Sequence, residues 1–312
     1  MNILVTGQCS LHWGRMEFGN IGNFYILDPF FREISRVFPD SNIRTTLQTS
    51  DQFQKSVGIE SIPMESYFDF NSNDNLKKSL EDLKSCKNPN SYKSSPYLSQ
   101  VDWADLVIDL SGDIWGKNAD FLGKDRFLTG INRNLIVKEM DKKSAMLVGS
   151  PGPFDPLSLE KAKEGYESFD LVTNREDVST QLLKKLNFDL SKTYSLACPS
   201  FLFDVSRNCN KNEFLSENYP NLHNRKNKAI GFILCGWNFK QGPFDLWPRP
   251  DSHYKNFTNL IKNILKNTDD EIFLMSHSNG FNPDSREFEL KHGRDYFIAK
   301  RFMEVIENQN ID

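Results

Sequence analysis

Short apolar runs that end in small or polar residues recur along this chain, and segments with helical spacing follow several of them. Most of these runs are too apolar to face water on one side, which is typical of strands buried in a parallel sheet. The runs predict strands over residues 2–6, 41–47, 105–110, 144–148, 171–173, 229–234 and 271–275.

The segments between the apolar runs carry apolar residues three and four positions apart, as amphipathic helices do. Ile26, Phe30, Ile34 and Phe38 show this spacing most clearly. The pattern predicts helices over residues 24–38, 131–142, 177–186, 254–266 and 295–308. Strands that alternate with helices predict an α/β protein built from Rossmann-like units.

Two polar stretches interrupt the alternation and suggest how the chain is divided. Residues 67–100 are rich in Asn, Ser and Lys, and they predict a surface insertion with a short helix near 76–83. Residues 206–228 are also polar, so we expect an N-terminal Rossmann-like domain over 1–208, a linker over 209–227 and a C-terminal one over 228–312.

The predicted C-terminal domain is short of strands. Only two strong strand candidates and two long helices remain after residue 229, whereas a typical sheet has about five or six strands. Two strands leave open sheet edges that other segments normally cover. We therefore expect this domain to be incomplete, with a downstream polypeptide as the partner that completes it.

Composition and cysteine spacing argue against several classes of protein. The 312 residues include 38 Lys and Arg against 42 Asp and Glu, a formal net charge of −4, which disfavours a nucleic-acid partner. No apolar run approaches the roughly 20 residues that span a bilayer. Five cysteines without a Cys-x-x-Cys pair argue against a disulfide framework and a structural zinc site, and no signal peptide opens the chain. The sequence predicts a cytoplasmic protein without an integral membrane segment.

The first candidate site is the loop that contains Gly19, Asn20, Gly22 and Asn23, placed before the helix predicted at Phe24. Its glycines allow close backbone approach, and the amides at a helix N-terminus favour a phosphate or a carboxylate. An ordinary tight turn with Asn23 as the N-cap is an equally good interpretation.

The second candidate follows the strand 105–110, where Ser111, Gly112 and Asp113 form a small turn. Ligands of parallel α/β sheets bind beyond the carboxyl ends of the strands, so Asp113 could act as a base or accept a bond from a hydroxyl group. An aspartate that only stabilises the turn beside glycine is the commoner role.

The third candidate is Arg175, which follows the strand 171–173 beside a predicted helix N-terminus that Asn174 can cap. A guanidinium fork there could hold a carboxylate or a phosphate, although an ion pair with a neighbouring carboxylate is slightly favoured. His277 also follows a strand and suits proton transfer, and the alternative is a histidine with a structural hydrogen bond.

Together these segments resemble the polysaccharide pyruvyl transferase family. The matching segments, in shared order, are Gly19-Asn20-Ile21-Gly22-Asn23, residues 105–108, residues 148–154, Arg175-Glu176, residues 199–202 and Ser276-His277. The resemblance implies two Rossmann-like domains of the glycosyltransferase-B (GT-B) type that face each other across a cleft. It also implies transfer of a pyruvyl group from phosphoenolpyruvate to a saccharide as a ketal, as in exopolysaccharide biosynthesis.

The resemblance also implies roles for residues. Arg175 falls on the family's Arg-Glu motif and would contact phosphoenolpyruvate, with His277 as a further catalytic candidate. The family's Arg-x-His motif, expected after the last helix, is absent from this sequence, which implies weak activity for the isolated chain.

The sequence therefore predicts a pyruvyl transferase-like protein whose partners are phosphoenolpyruvate and a saccharide acceptor, with no metal and no cofactor. Catalysis falls to Arg175 and His277, and the substrate-binding residues are Gly19, Asn20, Gly22, Asn23, Ser111, Gly112 and Asp113. Two alternatives stay open: a glycosyltransferase that uses a nucleotide-sugar, and a non-catalytic remnant that binds an anionic sugar.

Overall fold

A computed structural model of the protein describes residues 1–10, 15–204, 211–236, 250–275 and 294–308. The chain divides into two compact units. The first comprises Met1–Glu17 and Phe24–Phe203, and the second comprises Phe18–Asn23 and Asp204–Asp312.

The first unit is built on a seven-stranded sheet with the order β3-β2-β1-β4-β5-β6-β7. All neighbouring strands pair in parallel. The strands are β1 (Asn2–Thr6), β2 (Asn42–Thr45), β3 (Ile59–Ser61), β4 (Leu106–Asp109), β5 (Lys143–Gly149), β6 (Leu171–Asn174) and β7 (Thr193–Ser195). Strands β1 to β3 run outward to one edge and β4 to β7 to the other, so the order reverses between β1 and β4.

Helices connect these strands. They are α1 (Met16–Gly19), α2 (Ile21–Val37), α3 (Asp51–Val57), α4 (Asn75–Ser85), α5 (Pro96–Trp103), α6 (Arg126–Glu139), α7 (Leu159–Glu167) and α8 (Asp177–Lys185). Short 3-10 segments occur at Met64–Ser66, Pro89–Lys93, Gly112–Ile114, Lys117–Leu122 and Pro199–Leu202.

The central strands are buried on both faces because helices cover both sides of the sheet. Along β1, Ile3 and Val5 pack into the cluster that contains Phe30 and Phe31 of α2. Leu4, between them in sequence, packs into the opposite cluster with residues of α5 and α6. Successive side chains of a strand point to opposite faces, so a strand covered on both sides must be apolar throughout.

Residues 67–100 differ from the predicted surface insertion. Tyr67, Phe68, Tyr97 and Leu98 are buried and belong to one core cluster with residues of β4 and α6. The polar residues that dominate the composition lie on the outer side of α4 and in the turns around it, while a few apolar residues reach the core. The segment is therefore part of the first unit's core layer.

A buried ion pair ties this segment to α6. Nη1 of Arg133 lies 2.5 Å from Oδ2 of Asp82 in α4. The same guanidinium stacks over Tyr97, 4.5 Å from the ring centroid, and its Nε donates to the Tyr67 carbonyl at 3.2 Å. One side chain thus joins α6 to three points of the polar segment.

In the second unit, β8 (Ala229–Ile233) and β9 (Glu271–Met275) pair in parallel, with α11 (Lys255–Asn267) and α12 (Arg294–Asn308) beside them. Leu234, Tyr254, Ile261 and Phe302 are among the buried residues of its core. The predicted linker 209–227 contains two short helices, α9 (Lys211–Asn218) and α10 (Pro220–His223), within its described part.

The ion pair of Arg133 gives a stability prediction for the first unit. We expect Arg133→Leu to lower the free energy of unfolding by about 3 kcal/mol, because it leaves the largely buried Asp82 carboxylate without a partner. Arg36→Leu, which breaks the exposed pair with Glu33, should cost below about 1 kcal/mol. Urea unfolding of both variants measures the two losses, and equal losses would contradict the assignment.

Candidate functional site

The candidate site lies at the carboxyl ends of β1 and β4, where the strand order reverses and open parallel sheets take their ligands. Gly7 follows β1 and passes so close to β4 that a Cβ at this position would lie 3.2 Å from the Leu110 carbonyl oxygen. The backbone N–H of Gln8 then donates to Oγ of Ser111 at 2.9 Å. The loops after the two central strands are therefore joined directly.

The predicted turn after β4 exists and is tight. Gly112 has φ of 59°, a left-handed conformation that favours glycine, and it begins the 3-10 turn Gly112–Ile114. Its carbonyl accepts a hydrogen bond from the Ser150 N–H after β5 at 3.1 Å. Asp113 follows Gly112 in this turn, and its side chain is largely exposed.

Arg175, a predicted site residue that follows a different strand, lies beside this turn. Its Nη2 lies 3.6 Å from Oδ1 of Asp113. The Arg175 backbone N–H donates to the Gly149 carbonyl at 2.8 Å, which fixes the residue at the end of β6. The ion-pair interpretation of Arg175 is therefore what the structure contains, and the carboxylate in that pair is another predicted site residue.

The helix after Arg175 is capped differently from the prediction. Glu176, rather than Asn174, is the N-cap of α8, and its Oε2 accepts from the Ser179 N–H at 2.9 Å. Its Oε1 accepts from the Ser150 hydroxyl at 2.8 Å. Burial raises the pKa of Glu176, but the hydrogen bonds from Ser179 and Ser150 outweigh it and lower the pKa below its ordinary value. Asn174 instead donates to the Thr180 hydroxyl at 3.0 Å.

The loop with Gly19, Asn20, Gly22 and Asn23 forms the junction of α1 and α2. Oδ1 of Asn20 accepts from the Gly22 N–H at 2.9 Å, and the Asn20 carbonyl accepts from the Asn23 N–H at 2.9 Å. Asn20 rather than Asn23 therefore caps the turn. Because both amides are already bonded, the geometry favours the tight-turn interpretation over an anion site.

Four of the predicted residues come together in the first unit: Ser111, Gly112, Asp113 and Arg175. The segment Phe18–Asn23 groups with the second unit. His277 lies outside the described residues, since the described part of that region ends with β9 at Met275.

The sequence analysis missed Asp109 as a functional candidate. This last residue of β4 is buried, its Oδ1 accepts from the Ser111 N–H at 2.8 Å, and its Oδ2 has no hydrogen-bond partner among the described residues. Burial raises the pKa of Asp109 to about 6, against the opposing effect of the hydrogen bonding from Ser111. The sequence did contain a signal for Asp109, because it is a charged residue at the end of an apolar strand.

Neither a membrane-spanning helix nor a metal-binding cluster occurs among the described residues. None of its helices has the length and apolarity needed to cross a bilayer. Within the same residues, no three His, Cys, Asp or Glu side chains are grouped so that they could hold a metal ion.

Solved structures match the chain over nearly its whole length. A glycosyltransferase from Rickettsia africae ESF-5 aligns with a TM-score of 0.52 and 14% identity, covering 99% of this chain and 65% of its own. The UDP-GlcNAc 2-epimerase from Methanocaldococcus jannaschii aligns with a TM-score of 0.53 and 10% identity, covering 99% of this chain and 70% of its own. This chain thus spans about two thirds of the length of each. No family model and no curated protein matches it.

These comparisons confirm the predicted α/β fold of the GT-B-like type and correct the family. The resemblance to polysaccharide pyruvyl transferases is wrong, because the matching structures are a glycosyltransferase and a nucleotide-sugar epimerase. Phosphoenolpyruvate as a partner loses its support with it. Glycine turns and capped helices after strands, which carried the resemblance, recur wherever a parallel sheet presents its carboxyl edge.

The raised pKa of Asp109 predicts a pH dependence of stability. The unfolded chain loses this proton near pH 4 and the folded chain near pH 6, so the contribution of Asp109 to stability falls as the pH rises between these values. We expect the stability of Asp109→Asn relative to wild type to increase by about 3 kcal/mol between pH 3 and pH 8, with most of the increase between pH 4 and pH 6. Urea unfolding of both proteins across this range tests it, and a difference independent of pH would contradict the expectation.

Proposed function

We propose that this protein is a glycosyltransferase that uses a nucleotide-sugar. The fold supports the proposal, since the matching structures include a glycosyltransferase and an enzyme named for a UDP-sugar substrate. Fold alone does not fix chemistry, so the argument also depends on the residues at the carboxyl edge of the first sheet.

The observation that carries the proposal is the pair of Asp113 and Arg175. The Asp113 side chain is 69% exposed, whereas the Arg175 side chain is only 23% exposed. The arginine therefore holds the carboxylate from its buried side, and the carboxylate faces solvent. An exposed carboxylate, oriented by a partner at a strand end, is suited to accept a hydrogen bond from a sugar hydroxyl.

In the proposed step, Asp113 is the general base that activates the acceptor hydroxyl. The acceptor hydroxyl oxygen attacks the anomeric carbon of the nucleotide-sugar, and the bond from that carbon to the β-phosphate oxygen breaks. Asp113 takes the hydroxyl proton, and the nucleoside diphosphate leaves with the bonding electron pair. Arg175 holds the carboxylate in position while Ser111 and Gly112 set the turn that presents it.

A partner polypeptide that completes the second unit remains part of the proposal. Ile233 and Met275, at the ends of β8 and β9, are about half exposed although both are large and apolar. Additional strands laid beside this parallel pair would bury such side chains and would pair with the sheet edges that are open among the described residues. Activity of the isolated chain is therefore expected to be weak, and it should rise when such a polypeptide is supplied.

The test is release of nucleoside diphosphate from UDP-glucose and UDP-GlcNAc, with and without a mixture of saccharide acceptors. We expect acceptor-dependent release in wild type and a loss of at least about 100-fold in Asp113→Asn, which keeps the shape of the side chain but cannot take the proton. Asp102→Asn is the control. It removes an exposed carboxylate of α5 that lies shortly before β4, at the amino end of that strand, and it should leave the rate unchanged.

Other outcomes distinguish the alternatives. Conversion of the UDP-sugar without an acceptor, with the sugar released or epimerised, would replace transfer by epimerase-like chemistry. Binding of the UDP-sugar without turnover, detected as a shift in melting temperature, would favour the non-catalytic remnant. Equal rates in Asp113→Asn and Asp102→Asn would remove Asp113 from the mechanism.

A further inference from the structure

Two buried arginines lie on α6 about two turns apart, and only one of them has a carboxylate partner. Arg133 is paired with Asp82 at 2.5 Å. Arg126, the first residue of the helix, is fully buried, and no carboxylate among the described residues forms an ion pair with it.

The guanidinium of Arg126 is held by aromatic rings and by neutral oxygens. It lies 4.2 Å from the ring centroid of Phe68 and 4.9 Å from that of Phe70. Its Nε donates to the carbonyl of Gln8, and its Nη2 donates to the Ser10 hydroxyl at 3.3 Å. Its Nη1 is buried and has no hydrogen-bond partner within the described part of the chain.

The carboxylate at the start of the helix does not pair with this guanidinium. Asp120 instead accepts from the Phe127 N–H at 3.1 Å, which caps the helix backbone. Burial accordingly lowers the pKa of Arg126 to about 10, the direction expected for a cation without a counter-charge. Buried charges in proteins are normally paired, so this cation lacks the partner that Arg133 has.

A second buried group beside Arg126 also lacks a partner. Gln8 is fully buried, and neither Oε1 nor Nε2 of its side chain makes a hydrogen bond to any of the described residues. The amide packs against the first turns of α6, since a Cβ on Gly130 would lie 2.5 Å from Nε2. Buried amides are satisfied in nearly all proteins, by protein groups or by something bound.

We propose that the first unit contains an anion subsite at the start of α6, where the guanidinium of Arg126 and the amide of Gln8 hold one phosphate or carboxylate group. The subsite lies just beyond the carboxyl end of β1, at the reversal of strand order where such sheets bind ligands. The further statement that this group is carried by the acceptor sugar rests on the proposed glycosyltransferase function.

The experiment measures anion binding by calorimetry after dialysis into a phosphate-free buffer. The probes are inorganic phosphate, glucose 6-phosphate and uncharged glucose, at constant ionic strength. The variants are Arg126→Lys, which keeps the charge but loses the fork, and Gln8→Met, which removes only an amide that bonds to no protein group. Arg36→Lys, at an exposed position, is the matched control.

We expect saturable phosphate binding by wild type and by Arg36→Lys, at least about tenfold weaker in Arg126→Lys. Gln8→Met should bind several-fold more weakly while its melting temperature without phosphate does not fall. No saturable binding by wild type, or equal affinities in wild type and Gln8→Met, would overturn the subsite. If Arg126→Lys does not fold, Gln8→Met decides the question alone.

The probes also separate this inference from the proposed function. Tighter binding of glucose 6-phosphate than of phosphate supports an anion carried by a sugar, whereas equal affinity overturns that assignment in favour of a free anion. Phosphate binding without nucleotide-sugar turnover would retain the subsite and reject the proposed function. Turnover without phosphate binding would reject the subsite alone.

Discussion

The parallel pairing of β1 with β4 is the constraint on which the rest of the first unit depends. The register sets Ile3 beside Leu106 and Thr6 beside Asp109, so both strands end at the same level. Backbone groups buried at that level must find partners, and the Gln8 N–H to Ser111 bond supplies one across the two loops. A Cβ at position 7 would lie 3.2 Å from the Leu110 carbonyl oxygen, closer than most Cβ contacts, so this junction favours glycine there. The candidate site and the proposed anion subsite both adjoin this junction, through Ser111 and Gln8.

Helix α6 shows why parts of the fold were predictable and others were not. The apolar periodicity predicts a helix beginning at residue 131, but α6 begins at Arg126. Arg126 and Asn132 are polar and yet buried, because the guanidinium of Arg126 lies against Phe68 and Asn132 donates to the Ser79 hydroxyl of α4. A pattern of hydrophobic positions detects burial only where the buried residues are apolar, so it missed both this turn and the core role of residues 67–100.

The other strands and helices follow the same logic. The strands at 2–6 and 271–275 match their predicted bounds because each is a continuous apolar run. The three-residue strands β3 and β7 at the edges of the sheet were missed, since they are too short to produce a pattern.

The contact between Asp113 and Arg175 could not be predicted from local sequence. It depends on the neighbouring positions of β4, β5 and β6 in the sheet, which no local pattern specifies. The incorrect family resemblance had the same origin: its motifs were turns and caps that any such sheet requires.

Ser150, the residue after β5, has a consequence for how this surface can select a ligand. Its N–H binds the turn after β4 through Gly112, and its hydroxyl binds the cap of α8 through Glu176. The backbone segments that carry Asp113 and Arg175 are thereby fastened to one intermediate point. Moving either loop alone away from the other would break a hydrogen bond of Ser150. The backbone therefore sets the spacing between the loop that carries Asp113 and the loop that carries Arg175. A ligand that binds at this edge would be selected by its fit to that spacing rather than by rearrangement of the loops.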